Sequence, residues 1–78
     1  MNTEILTYLT FASGYTEGYL EVESESFESF KEGLKLFYED YREEQAEILY
    51  SFYEKGYIFG KSTNEFNKAM NTIKASLN

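Results

Sequence analysis

The sequence predicts an all-α domain, a compact arrangement of four helices. Three observations carry this. Apolar side chains recur at steps of three and four along most of the chain. There is no proline, so the strongest helix breaker is absent. Finally, the pentapeptide Gly-Tyr-x-x-Gly occurs twice, as GYTEG at 14–18 and GYIFG at 56–60.

The first helix is expected over 3–21. Ile5, Tyr8, Leu9, Phe11, Ala12, Tyr15, Tyr19 and Val22 form an apolar series, and Thr3, Thr7, Thr10, Ser13 and Glu17 take the opposite stripe. The Thr, Tyr and Ile content favours strands instead. An α+β alternative therefore has an N-terminal β-hairpin, strands near 5–11 and 19–23, followed by two helices. The second helix, 26–42, has Ser24 or Ser26 as its N-cap. It shows the clearest amphipathic spacing, through Phe27, Phe30, Leu34, Phe37 and Tyr41. At REEQ, 42–45, that stripe weakens. It resumes one position round the helix with Ile48, Leu49, Phe52 and Tyr53, giving a third helix over 45–59 that Gly56 and Gly60 end or kink. STNE at 62–65 reads as a capping box, Ser62 at the N-cap and Glu65 at N3, opening a fourth helix over 63–77. The expected core centres on Tyr8, Phe11, Tyr15, Phe30, Leu34, Phe37, Ile48, Phe52, Phe66, Met70 and Ile73.

The 78 residues imply one domain, 1–78. Set against one another at an offset of 42, Gly14, Tyr15 and Gly18 meet Gly56, Tyr57 and Gly60, and Phe11 meets Tyr53. The stretches that follow match at a shorter offset. A duplicated helix–turn–helix unit, with pseudo-repeats 3–42 and 45–78, accounts for this. Glycines four apart share one helix face and let another backbone approach closely. Gly14, Tyr15, Gly18, Gly56, Tyr57 and Gly60 are accordingly the candidate self-association residues, with a homodimer as the expected product.

Composition removes several chemistries. With no Cys and no His, disulfides, thiolate zinc sites and Cys or His catalysis are excluded. GYIFGKS, 56–62, falls short of a phosphate-binding loop. Three residues, not four, separate its glycines, the preceding run is helical, and too little chain follows. General acid–base catalysis needs tuned groups in a pocket, and four short helices leave little room for one. No enzyme activity, cofactor or metal is expected. The first residues lack a basic region and a long apolar run, so a cytoplasmic chain is expected, with no membrane partner.

Formal net charge is −7, unevenly spread. Residues 1–30 carry six acids and no base, 31–54 seven acids and three bases, and 55–78 one acid and four bases. Direct nucleic-acid binding would meet phosphate repulsion, whereas a protein with a basic surface is the natural complement. The candidate partner-binding residues are Glu39, Asp40, Glu43, Glu44 and Glu47, with Glu21, Glu25, Glu28 and Glu32 as a second series. Sharing one side, they would approximate a row of phosphates. The functional expectation is therefore a small acidic, non-enzymatic protein-binding module. As an inhibitor of a basic nucleic-acid-binding protein, by DNA mimicry, it would suit a phage or mobile element. The alternative is a self-associating structural helical protein without mimicry.

Overall fold

The computed structural model describes residues 3–77, so the outermost ends of the 1–78 domain and of the 45–78 repeat lie outside it. It is all-helical among the described residues: α1 (Thr3–Tyr19), α2 (Phe27–Phe37) and α3 (Glu43–Leu77). The all-α expectation is met. The count of four is not, and no strand occurs among the described residues in place of α1.

Each helix end has an identifiable cause. At the end of α1, Val22 N–H donates to the Glu17 carbonyl and Glu21 N–H to that of Gly18, while Glu21 takes a left-handed φ of 60°. This is the Schellman arrangement with Glu where Gly is customary. The Ser26 hydroxyl caps α2 by accepting from Ser29 N–H. The helix stops at Phe37, where Tyr38 turns extended and donates to the Leu34 carbonyl. Glu43 and Glu44 occupy the first turn of α3, where carboxylates suit the helix dipole.

The third and fourth predicted helices are one continuous α3. Gly56 and Gly60 do not end it. The propensity cost of glycine is ~1 kcal/mol each, and here both are buried against α1. Ser62 is no N-cap. It lies inside the helix, whose backbone donors already have carbonyl partners one turn back.

α1 and α3 run parallel, α1 lying along the first half of α3, and α2 returns between them in sequence while packing on α3 alone. The core is a thin seam of Leu6, Thr10, Ala46, Leu49 and Tyr53, completed by the four glycines. None of the eleven expected core residues is buried: Tyr8 is 77 % and Phe37 80 % exposed, and Phe66, Met70 and Ile73 are exposed too. The cause is architectural. With three helices and one of them half unaccompanied, there is no second layer to cover the aromatic stripes. The molecule measures 56 × 22 × 16 Å, and its radius of gyration is 15.7 Å. A compact chain of this length would have ~11.5 Å.

Candidate functional site

The repeated pentapeptide is explained by the α1–α3 contact. A Cβ added to Gly14 would lie 2.1 Å from the Tyr53 carbonyl oxygen, and one on Gly18 would lie 2.0 Å from that of Tyr57. Reciprocally, Gly56 would meet the Phe11 carbonyl at 2.2 Å and Gly60 that of Tyr15 at 2.0 Å. The same offset of 42 that aligns the two motifs relates these contacts. The two Gly-x-x-x-Gly faces therefore meet inside one chain, around a local pseudo-two-fold axis parallel to the helices. Glycine hydrogens aimed at carbonyl oxygens at this range make Cα–H···O contacts worth about 0.5–1 kcal/mol each. These faces are occupied within the monomer, so a homodimer through them would require α1 of one copy to pair with α3 of another.

The tyrosines of the motifs hold the periphery of this seam. Tyr15 stacks on Tyr19, with centroids 6.2 Å apart, and tilts against Phe59 at 5.8 Å. The Tyr57 hydroxyl donates to the Val22 carbonyl, and Tyr50 donates to the Glu25 carbonyl at 2.7 Å. Tyr53, 1 % exposed, donates to Glu17 Oε1 and accepts from Glu25 N–H, both at 2.9 Å. Burial first, then the hydrogen-bonded Glu17 carboxylate, pushes its phenol up to about 12. Burial also raises Tyr50, helped by the charges of Glu54 and Glu25. Farther along α3, Asn64 donates to the Tyr19 carbonyl and Lys68 pairs with Glu21 at 2.6 Å. A polar edge of α3 thus clasps the end of α1 and the 20–26 turn.

Acidic residues do not gather into one unbroken row. Lys31 stands between Glu28 and Glu43, at 3.1 and 3.0 Å, and over the Phe27 ring at 4.7 Å. The two carboxylates hold its ammonium above the usual lysine range. Lys35 pairs with Glu32, and Lys68 with Glu21, whose carboxyl is lowered by that hydrogen bond and charge. Glu25 accepts from the Ser29 hydroxyl. Glu39, Asp40, Glu44 and Glu47 are exposed around the α2–α3 turn and the start of α3. Among the described residues no group of three or more acids is placed to hold a metal ion. No described helix is long and apolar enough to cross a membrane.

Apolar surface is the more conspicuous feature. From Glu65 to Leu77 every residue of α3 is exposed. Phe66 (63 %), Met70, Ile73 (51 %) and Leu77 (81 %) form one stripe on this extension. At about 100° per residue, that stripe continues onto the accompanied half of α3 through Phe59, Phe52 and Ile48, all within a ~60° arc. There, Phe11 and Tyr15 of α1 flank it through ring contacts with Phe59 at 6.3 and 5.8 Å. Glu4, Thr7, Tyr8, Phe11 and Phe52 line a shallow open pocket beside it. On another side, Leu6, Leu9, Phe30, Leu34 and Phe37 line a groove separating α1 from α2. Periodicity had pointed to these residues, but as core. Their role as surface was not readable from spacing. Comparison with family models, curated proteins and solved structures finds no match to this chain.

Proposed function

We propose that this protein is a non-enzymatic protein-binding module that works by docking an apolar helical surface. The observation that carries the reading is the extension of α3: thirteen consecutive exposed residues, Glu65–Leu77, with a regular apolar stripe, tied to the end of α1 and the turn after it by the polar side chains of Asn67 and Lys68 near its start. Contiguous apolar surface of this kind marks an interaction site. The apolar stripe of this segment gains nothing from the exposed contacts of Asn67 with Tyr19 and Lys68 with Glu21, and helical segments of ~12–15 residues are marginal in water without packing. A docked partner supplies that packing. The test is a photo-crosslinking benzoylphenylalanine in place of Met70, irradiated in cells producing the full chain. A covalent adduct with a protein is expected. Uncrosslinked chain under every condition would overturn the proposal.

A second reading keeps the acidic surface as the contact, with the protein inhibiting a basic nucleic-acid-binding partner. What favours it is the exposed set Glu39, Asp40, Glu44 and Glu47 at one end of the molecule. Charge reversal at these four positions should then weaken partner binding steeply at low salt. Unchanged affinity removes this reading and leaves the apolar one untouched.

A further inference from the structure

The apolar stripe of α3 needs an occupant, and three quantities identify one. A folded chain of 9.2 kDa exposes ~4,900 Å², whereas this one exposes 5880 Å². The excess of about 1,000 Å² matches the ~800 Å² that each partner contributes to a standard interface. Charge is complementary along the length of the molecule: residues 55–78 carry four lysines and one glutamate, and the residues before them thirteen acids and three bases. Lastly, the stripe occupies the same face on both halves of α3. A two-fold operation perpendicular to the helix therefore brings the extension of one copy onto the accompanied half of the other.

We propose that the stripe is covered by a second copy of this chain, in an antiparallel two-fold dimer along α3. This rests on the apolar-docking reading above and names its partner. The register follows from full mutual cover. The ends of the stripe, Ile48 and Leu77, come together across the interface, and its midpoint falls at Ser62 and Thr63, the small residues between Phe59 and Phe66. Ile73 then meets Phe52 and Phe11, and Leu77 reaches the open pocket beside Tyr8. The extension of each copy, with Lys68 and Lys74 against Glu65, carries a small net positive charge and lies along the acidic body of the other, which disfavours a parallel pairing of like ends. α2 packs on the opposite side of α3, against Tyr50 and Tyr53, and leaves this face clear. Each end of the dimer holds four helical segments, α1, α2, the first half of α3 and the partner's extension. The four-helix arrangement expected of the monomer is thus assembled from two chains.

The chain has no cysteine, which makes disulfide trapping clean. Ser62→Cys alone should give a disulfide dimer. Ile48→Cys mixed with Leu77→Cys should give a mixed dimer. Leu77→Cys alone should not crosslink, because the two copies of residue 77 stand ~44 Å apart at 1.5 Å per residue. All three positions are exposed, so the substitutions leave the fold intact. In sedimentation equilibrium the wild type should be dimeric at ~10 μM, and Ile73→Glu should raise the dissociation constant at least ~100-fold, because a two-fold interface feels each substitution twice. Its circular dichroism should stay helical. Efficient crosslinking of Leu77→Cys alone, or a strict monomer at several hundred micromolar, overturns the dimer. A monomer whose position 70 crosslinks to a different protein sinks this inference and spares the docking function. A monomer that crosslinks to nothing sinks both.

Discussion

Replacing Gly60 with alanine sets two effects of opposite sign against each other. Helix propensity alone favours alanine by ~1 kcal/mol. The structure opposes it: the new Cβ would sit 2.0 Å from the Tyr15 carbonyl oxygen, 2.9 Å from the Tyr15 carbonyl carbon and 2.9 Å from Tyr19 N. The oxygen contact is about 1 Å shorter than the 3.0 Å that real Cβ atoms keep. All three obstacles are backbone, so no rotamer change relieves them. α1 and α3 must separate, and the neighbouring Gly14, Gly18 and Gly56 contacts loosen with them. Overpacking typically costs 1–3 kcal/mol, and a clash with rigid backbone belongs at or above the top of that range. We expect a net loss of about 2–3 kcal/mol, or roughly 10–20 °C in Tm for a domain of this size. Gly33→Ala is the internal control. It is also a mid-helix glycine, but an added Cβ there meets nothing within 4 Å. It should raise Tm by about 4–8 °C. Both are read by thermal unfolding in far-ultraviolet circular dichroism at equal chain concentration. If Gly60→Ala stabilised the protein as Gly33→Ala does, the backbone-to-backbone seam would be wrong.

Other expectations follow from the turn and the tyrosine cluster. Tyr53→Phe should cost about 1–3 kcal/mol, because it leaves Glu25 N–H and the Glu17 carboxylate without their partner; urea titration reads it. The Tyr53 phenol titrates near 12 in the folded state against 10.0 unfolded. Its stabilisation is therefore complete below pH 10 and lost as pH rises through 12. Wild-type Tm should fall more steeply across that window than that of Tyr53→Phe, and parallel curves would refute the assignment. Glu21→Gly should be more stable than Glu21→Ala by ~1 kcal/mol, because only glycine adopts φ 60° without a Cβ penalty. Both variants lose the exposed pair with Lys68, so their difference isolates the backbone term.

The helical class was legible because spacing is a local property. Ser26, one of the two serines offered as the α2 cap, and the shared face of each glycine pair were readable for the same reason; that the two faces meet inside one chain was not. The break at Gly56 and Gly60 was misread because a glycine in a helix carries the same symbol whether it stops the helix or receives another backbone; only the partner helix distinguishes the two. Phe66, Met70 and Ile73 illustrate the second failure. Periodicity says which face is apolar and nothing of what lies over it, so a stripe facing solvent is indistinguishable from one facing a core. Of the acidic residues, Glu28, Glu32, Glu43, Glu44 and Glu47 do lie on helices, but Glu39 and Asp40, expected on the second helix, and Glu21, expected on the first, fall in turns because α2 stops at Phe37 and α1 at Tyr19. That Lys31 would stand between Glu28 and Glu43 depended on how α2 folds back onto α3, a tertiary fact with no trace in sequence neighbours.

The parallel pairing of α1 with α3 has a consequence for synthesis. α1 has no use for α2, the element that leaves the ribosome next. Its glycine face finds its counterpart only 42 positions later in the chain. At the ~5–20 residues per second of translation, α1 waits about 2–8 s with Leu6, Thr10 and its glycine face uncovered. Closing so long a loop before any tertiary reward slows folding relative to bundles whose neighbouring helices pair. This small helical protein should therefore fold late and all at once, and the nascent chain should be most open to capture by chaperones while residues 20–55 are being made.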